Sequence, residues 1–318
     1  MHPLLVSQEA AARAHLQPDV LAYITDGGVA AGEAAAAWEG HRFLPRVLRD
    51  VARVDTSLTL YGTDLRTPVL VGPTAFHGRV HERGEAATSD GAARAGSLMV
   101  VATRSDRPVE EIAPPFWWQT YVLRDRGLTL DLALRARAAG ATAIVVTGDT
   151  PYLAPRSGGV RLPLGVQEQD PSATLEVVDW LRAETGLPVL VKGVLRGDDA
   201  RECLAAGASG VIVSNHGGRQ LARAATTASA LTSVVDVVGD AAPVLVDGGL
   251  RCGLDVLAAL ALGATAVLVG KPVLYALAAD GAAGVTACLE ALTRDLADVM
   301  GLAGCASLGD VDQGLLAR

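Results

Sequence analysis

The chain is short of aromatic residues, of cysteine and of positive charge, and each shortage removes a class of explanation. Phe, Trp and Tyr together make up 4% of the 318 residues, so any large core must be assembled from Ala, Val and Leu. Four cysteines are present, Cys203, Cys252, Cys288 and Cys305. None belongs to a Cys-x-x-Cys pair or to a cluster with metal-ligand spacing. A disulfide framework and a metal centre are therefore not expected, and free thiols in a reducing cytoplasm are. A formal net charge of −8 leaves no general basic face for nucleic-acid phosphates. No basic segment leading into an apolar run opens the sequence, so no signal peptide is expected. The apolar stretches at 255–269 and 273–279 are separated by Gly270, Lys271 and Pro272. Each falls short of the roughly 18–20 residues that a membrane span needs, and no membrane partner is expected.

What the chain does have is apolar residues, at 50%, and 35 glycines, enough for a large core with many tight turns. Short β-branched runs recur at 68–73, 98–103, 116–122, 143–149, 188–193, 210–218, 243–249 and 266–272. Continuous apolar runs of this length predict strands buried on both faces, as in a parallel sheet under helices. Between them lie Ala- and Leu-rich stretches with helical spacing, such as 84–96, 128–141, 198–208 and 252–264. Several end in Ala-Gly or Gly-Ala just before the next strand, a helix-stop signal. Eight strand–helix units in this order predict an α/β fold, a (β/α)₈ barrel of the triosephosphate isomerase (TIM) type, with a doubly wound open sheet as the alternative. Residues 1–67 read as a mainly helical N-terminal extension, and residues 152–171, rich in Gly and Pro, as a substrate-side loop after the fourth strand. No domain boundary is visible, so residues 1–318 read as one domain.

In such a barrel, polar groups at the C-terminal strand ends converge on one mouth. Nearly every strand here ends in one: Thr74, Thr103, Gln119 with Tyr121, Thr147 with Asp149, Lys192, Ser214 with His216, Asp247 and Lys271. That pattern points to an enzyme. The string Val-Ile-Val-Ser-Asn-His-Gly-Gly-Arg at 211–219 places His216 and Arg219 three positions apart after a strand. A histidine cycles protons near neutral pH and an arginine grips a carboxylate with two prongs, which suits proton abstraction beside a bound anion. Gly248, Gly249 and Gly270, with Arg251 and Lys271, suit phosphate binding on backbone amides and cationic side chains at the last two strands.

With these residues in view, the chain resembles the FMN-dependent 2-hydroxy acid oxidising enzymes: glycolate oxidase, lactate oxidase, mandelate dehydrogenase and hydroxymandelate oxidase. The resemblance runs from about Tyr23 to about Leu308. It is carried by RFLPRVLRDVARVDTS, GPTAFHGRVHERGEAAT, WWQTYVLRDRG, VVTGDTPYLAPR, LVKGV and SNHGGRQL. It implies FMN as cofactor and oxidation of an L-2-hydroxy acid to the 2-oxo acid, with a hydride equivalent passing to the flavin. His216 is implied as the base, supported by Asp149, and Tyr121 as a hydrogen-bond partner of the substrate oxygen. Lys192 is implied beside the flavin's pyrimidine end. Tyr23, Arg156 and Arg219 are implied around the substrate carboxylate. Pro73, Thr74, Ala75, Ala102, Gln119, Thr147 and Ser214 are implied along the isoalloxazine and ribityl chain, and Asp247, Gly248, Gly249, Arg251, Gly270 and Lys271 around ribityl and phosphate. A homotetramer is implied as well.

Three features depart from the family pattern. Lys271 follows Gly270 where relatives have arginine, which keeps the charge but not the planar fork. Arg104 stands where relatives usually carry an apolar or small residue at the substrate wall; it is either exposed and solvated or in contact with a second acidic or polar group on the substrate. The loop after the fourth strand is short, which predicts an open mouth and a bulky or aromatic, mandelate-like substrate. Two competing readings are an FMN-dependent isomerase on the same barrel and a flavin-binding protein without turnover. The intact His216, Asp149, Tyr121, Arg156 and Arg219 set argues against both.

Overall fold

Proline opens each of the first two helices, where its missing N–H costs nothing and its fixed φ suits the first turn. These are α1 (Pro3–His15) and α2 (Pro18–Thr25), followed by α3 (Gly28–Glu39). A computed structural model describes residues 1–152 and 168–317. In it, the extension also contains an antiparallel hairpin, β1 (Leu58–Leu60) and β2 (Thr63–Leu65). The extension is therefore not helical throughout. The hairpin buries Leu60 and Leu65 against the barrel interior.

The eight apolar runs become eight parallel strands in one sheet: β3 (Val69–Val71), β4 (Val100–Ala102), β5 (Phe116–Thr120), β6 (Ala141–Thr147), β7 (Val189–Val194), β8 (Gly210–Val213), β9 (Val244–Asp247) and β10 (Ala266–Val269). Their order around the sheet is β3-β10-β9-β8-β7-β6-β5-β4. A parallel bridge between Val71 and Met99, with Val71 N donating to Leu98 O at 2.9 Å, joins the two ends. The sheet is thus a barrel rather than an open doubly wound sheet.

Period-two geometry sends alternate side chains to opposite faces. Leu70, Val100, Trp117, Val145, Leu190, Ile212, Leu245 and Leu268 fill the barrel interior, while Val71, Val101, Trp118, Val146, Val191, Val213, Val246 and Val269 meet the helices outside. Both tryptophans are core. The outer layer comprises α4 (Gly84–Arg94), α5 (Arg126–Ala138), α6 (Glu176–Thr185), α7 (Gly197–Ala205), α8 (Thr227–Val238), α9 (Gly253–Ala261) and α10 (Lys271–Ala303). A Cβ at Gly91 of α4 would lie 2.6 Å from Ala282 O, so only glycine lets α4 pack this closely on α10. By length and composition α10 could cross a bilayer. Asp280 and Gly281 break its helical geometry, however, and Leu277, Val285, Leu289, Leu292 and Leu296 are buried in the core. All four cysteines are free thiols, and burial pushes Cys203 up to about 11 and Cys288 up to about 12.

Candidate active site

Parallel strands that all run one way deliver their final residues to one rim, and that rim carries a connected polar system here. From β6 comes Asp149, and from the turn after β8 comes His216. The Asp149 Oδ1 atom lies 3.0 Å from His216 Nδ1. Thr150 Oγ1 sits between them, 3.2 Å from Asp149 Oδ1 and 3.3 Å from His216 Nδ1. Burial works to raise the Asp149 carboxyl, yet the hydrogen bond and charge of His216, with Lys192 nearby, hold it below the ordinary carboxylate value. His216 has φ 58°, a left-handed conformation uncommon outside glycine, and its N–H donates to Ser214 Oγ at 3.1 Å. The turn is therefore tied to the strand that precedes it. Neither Thr150 nor this backbone strain was singled out from the sequence; a threonine beside an aspartate carries no signal of its own.

Lys192, at the end of β7, is buried. Its Nζ lies 2.8 Å from Asp247 Oδ2 on β9 and donates to Ser214 Oγ at 2.7 Å on β8. Burial alone would depress the ammonium, but Asp247 and then Asp149 outweigh it and hold the pKa above the usual lysine value. On the other flank, Gln119 Nε2 donates to Thr147 Oγ1 at 2.9 Å, and Thr103 Oγ1 donates to Gln119 O at 2.6 Å. Pro73, Thr74 and Ala75 leave β3, and Ala102 closes β4. Thr74 Oγ1 is held 2.6 Å from His77 Nε2, whose Nδ1 is 2.8 Å from Thr88 Oγ1. His77 is wholly buried, and desolvation lowers it to about 4. It is a neutral spacer that packs behind Thr74.

Tyr121 follows β5. Burial raises its phenol, with Arg104 opposing and Tyr23, Asp149 and Lys192 also felt. Arg104 is 7% exposed and its guanidinium lies 4.4 Å from the Tyr121 ring centroid, so it is not a solvated surface residue. Tyr23, at the end of α2, meets Phe76 edge-on at 5.9 Å and lies under the Arg219 guanidinium at 4.6 Å. Arg219 Nη2 also donates to the carbonyls of Tyr23 and Ile24. Arg156 and most of the 152–171 loop lie outside the described residues.

Lys271 Nζ donates to Thr25 O at 3.1 Å and Asp26 O at 2.9 Å. Burial first, then the like charges of Arg219 and Arg251, push it down to about 8. Burial also lowers Arg251. Lys271 and Arg251 suit an anion between them, and Lys271 opens α10, whose N-terminal dipole end adds to the attraction. Asp247 Oδ1 is buried without a hydrogen-bond partner among the described residues, an acceptor that suits a hydroxyl. The residues present thus fit a polyol phosphate. The glycines after β9 are placed differently from a simple phosphate cradle: a Cβ on Gly249 would lie 2.2 Å from Ala34 O, and Trp38 Nε1 donates to Gly248 O at 2.7 Å. Helix α3 covers that turn, and Trp38 is a part of this region that its position in the sequence did not suggest. Among the described residues no group of His, Cys, Asp and Glu is placed to hold a metal.

Comparison with known proteins agrees with this geometry. A model of the FMN-dependent dehydrogenase family matches residues 12–169 and 163–318. An L-lactate oxidase of Nostoc sp. is 37% identical, with 98% of this chain and 97% of that one covered. A 4-hydroxymandelate oxidase of Amycolatopsis orientalis is 39% identical, with coverage of 96% and 95%. The solved structure of a mandelate oxidase with (S)-4-hydroxymandelic acid superposes with a TM-score of 0.92 at 40% identity, covering 98% of each chain. A mandelate oxidase variant with a C4a-OH-FMN adduct gives 0.90 at 42% identity, covering 96% and 97%.

Proposed function

The chain belongs to the family of FMN-dependent dehydrogenases, and on that premise we propose that it oxidises an L-2-hydroxy acid to the 2-oxo acid with His216 as the base. The observation that carries this is the 3.0 Å contact between His216 Nδ1 and an Asp149 held ionised. With Nδ1 engaged, the other ring nitrogen is the atom left to take a proton from the substrate. Asp149 then stabilises the imidazolium that forms. Tyr121 supports the substrate oxygen, and Tyr23, Arg156 and Arg219 hold the carboxylate. Fixing the reacting carbon in this way contributes on the order of several kcal/mol by orientation alone.

FMN, when bound, supplies the acceptor for the two electrons. Lys192, paired with Asp247, would place positive charge beside the flavin's pyrimidine end; Gln119, Thr147, Ser214 and Thr74 would line the ring's site, and Lys271, Arg251 and the start of α10 would hold the phosphate. Asp247 Oδ1 is available to a ribityl hydroxyl.

Oxygen as the final acceptor and a bulky, mandelate-like substrate are supported by the relatives' activities and by the short loop after β6. A homotetramer is supported by the exposed apolar side chains of Leu44, Val47 and Leu48, which a second copy would cover. The four free thiols support a cytoplasmic location.

The test is turnover of the FMN-loaded protein on L-lactate, (S)-mandelate, (S)-4-hydroxymandelate, L-malate and L-2-hydroxyglutarate in air. Formation of the 2-oxo acid with hydrogen peroxide is expected. Absence of any 2-oxo acid from a fully loaded enzyme across this panel would overturn the assignment. Light scattering of the same sample reads the oligomer.

A further inference from the structure

Among the described residues, Arg104 is a buried cationic side chain at the mouth that the chemistry above does not use. It is 7% exposed, and its Nε and Nη2 atoms are buried without a hydrogen-bond partner among the described residues. It stacks on the Tyr121 ring, at 4.4 Å. Burial lowers its pKa, and the groups that oppose this are the phenols of Tyr121 and Tyr23, not a carboxylate. A desolvated guanidinium without an anion is a costly arrangement, and stacking on a phenol offsets only part of that cost. The fold nevertheless holds it in place: Arg104 O accepts from Phe76 N at 3.2 Å, and the preceding Thr103 is anchored on Gln119.

Its position in the ring of strands relates it to the residues that would hold the hydroxy acid. His216 and Arg219 follow β8, whereas Arg104 follows β4. The order β8-β7-β6-β5-β4 puts these two exits half-way round the eight-stranded ring from one another. Tyr121, after β5, stacks on Arg104 at 4.4 Å and also feels Tyr23, Asp149 and Lys192. A hydroxy acid with its α-carboxylate at Arg219 and its hydroxyl at His216 would extend its far end across the mouth, past Tyr121, towards Arg104.

We propose that Arg104 binds a second anionic group at the far end of the substrate, so that the enzyme prefers a 2-hydroxy diacid over a neutral 2-hydroxy acid of equal length. This rests on the 2-hydroxy acid reading above and names the substrate class within it. A guanidinium accepts a carboxylate through two parallel hydrogen bonds, and Nε and Nη2 are the pair of donors on one edge of the fork. An aromatic side chain with an acidic ring substituent satisfies the same chemistry.

The experiment is a binding titration of the oxidised, FMN-loaded enzyme, read from the flavin spectrum and requiring no turnover. The ligands are the product-type acids 2-oxosuccinate, 2-oxoglutarate and 2-oxoadipate, each against the monoacid of equal length, 2-oxobutanoate, 2-oxopentanoate and 2-oxohexanoate. At least one diacid is expected to bind roughly ten- to a hundredfold tighter than its monoacid, the worth of a charge-assisted hydrogen-bonded pair. Arg104→Met should abolish that ratio and Arg104→Lys should restore part of it. Equal affinity within every pair in the wild-type enzyme would overturn the proposal and leave Arg104 as a stacking partner of Tyr121. A loss of both members of each pair to the same degree in Arg104→Met would also overturn it, because Arg104 would then be holding the α-carboxylate. Tighter diacid binding without bleaching by any of the corresponding hydroxy acids would uphold the anion site and sink the oxidation reading instead.

Discussion

Asp149 Oδ1 stands 3.0 Å from His216 Nδ1, across a gap of 67 residues in sequence and two strands in the barrel. Because the aspartate is held ionised by that contact, the imidazole gains an anion for the moment when it becomes charged. Asp149→Asn keeps the shape and removes the charge. It should slow flavin reduction by about 10²–10⁴-fold, the range seen when a histidine base loses its aspartate. Rapid-mixing measurements under nitrogen check this, with substrate affinity changing far less than rate. An unchanged rate would remove Asp149 from the account.

Lys192 and Asp247 form a buried ion pair at 2.8 Å, each with side-chain exposure of 17% or less. Lys192→Met would leave Asp247 buried without its cation, and breaking a buried pair from one side costs about 3–5 kcal/mol. The variant should unfold at lower denaturant concentration and also reduce its flavin more slowly. A variant as stable as the wild type would show that solvent, not Lys192, satisfies Asp247.

His77 gives a pH prediction whose sign is fixed by its burial. Its folded pKa is about 4 against 6.5 for an unperturbed histidine. Between those values the unfolded chain binds a proton that the folded chain does not. Stability is therefore full above about pH 6.5, falls as the pH drops towards 4, and loses roughly 3 kcal/mol over that window from this group. His77→Gln should flatten that part of the stability–pH curve, measured by denaturant titration at several pH values. A curve of unchanged slope in the variant would contradict the neutral, buried His77.

Lys271 gives the opposite sign for cofactor binding. With its pKa pushed down to about 8, the flavin-free protein loses this positive charge as the pH rises through that value. FMN affinity should weaken by up to about tenfold per pH unit above it, because the phosphate binds the protonated form. Lys271→Arg, which stays charged, should remove the dependence. Fluorescence titration of the flavin-free protein with FMN checks both, and a pH-independent affinity in the wild type would place the phosphate elsewhere.

The barrel was legible in the sequence because its signal is strong and local. Eight β-branched runs, most followed by a helical stretch and several of these ending in an Ala-Gly or Gly-Ala stop, leave few other folds open. The hairpin at Leu58–Leu65 was not legible, since each arm is three residues long and its pairing depends on a barrel floor that the local pattern does not reveal. Within the site, residues sitting at strand ends were found by their position alone: Thr147, Lys192, Ser214, His216 and Asp247. Those acting through the fold were not. Thr150 bridges Asp149 and His216, Trp38 reaches Gly248 from a helix 210 residues away, and nothing local marks either. Arg104 shows the limit in another way. An arginine in a loop is solvated by default, and only the fold, which stacks it on Tyr121 and leaves it 7% exposed, reveals that this one is buried.

The most direct test of the central claim compares the wild-type protein with His216→Asn, both fully loaded with FMN and mixed with an L-2-hydroxy acid under nitrogen. The account predicts rapid bleaching of the yellow flavin in the wild type, and in His216→Asn a bound flavin that keeps its colour over the same time. Bleaching of His216→Asn at the wild-type rate would show that another group takes the proton, and the assignment of His216 as base would fall.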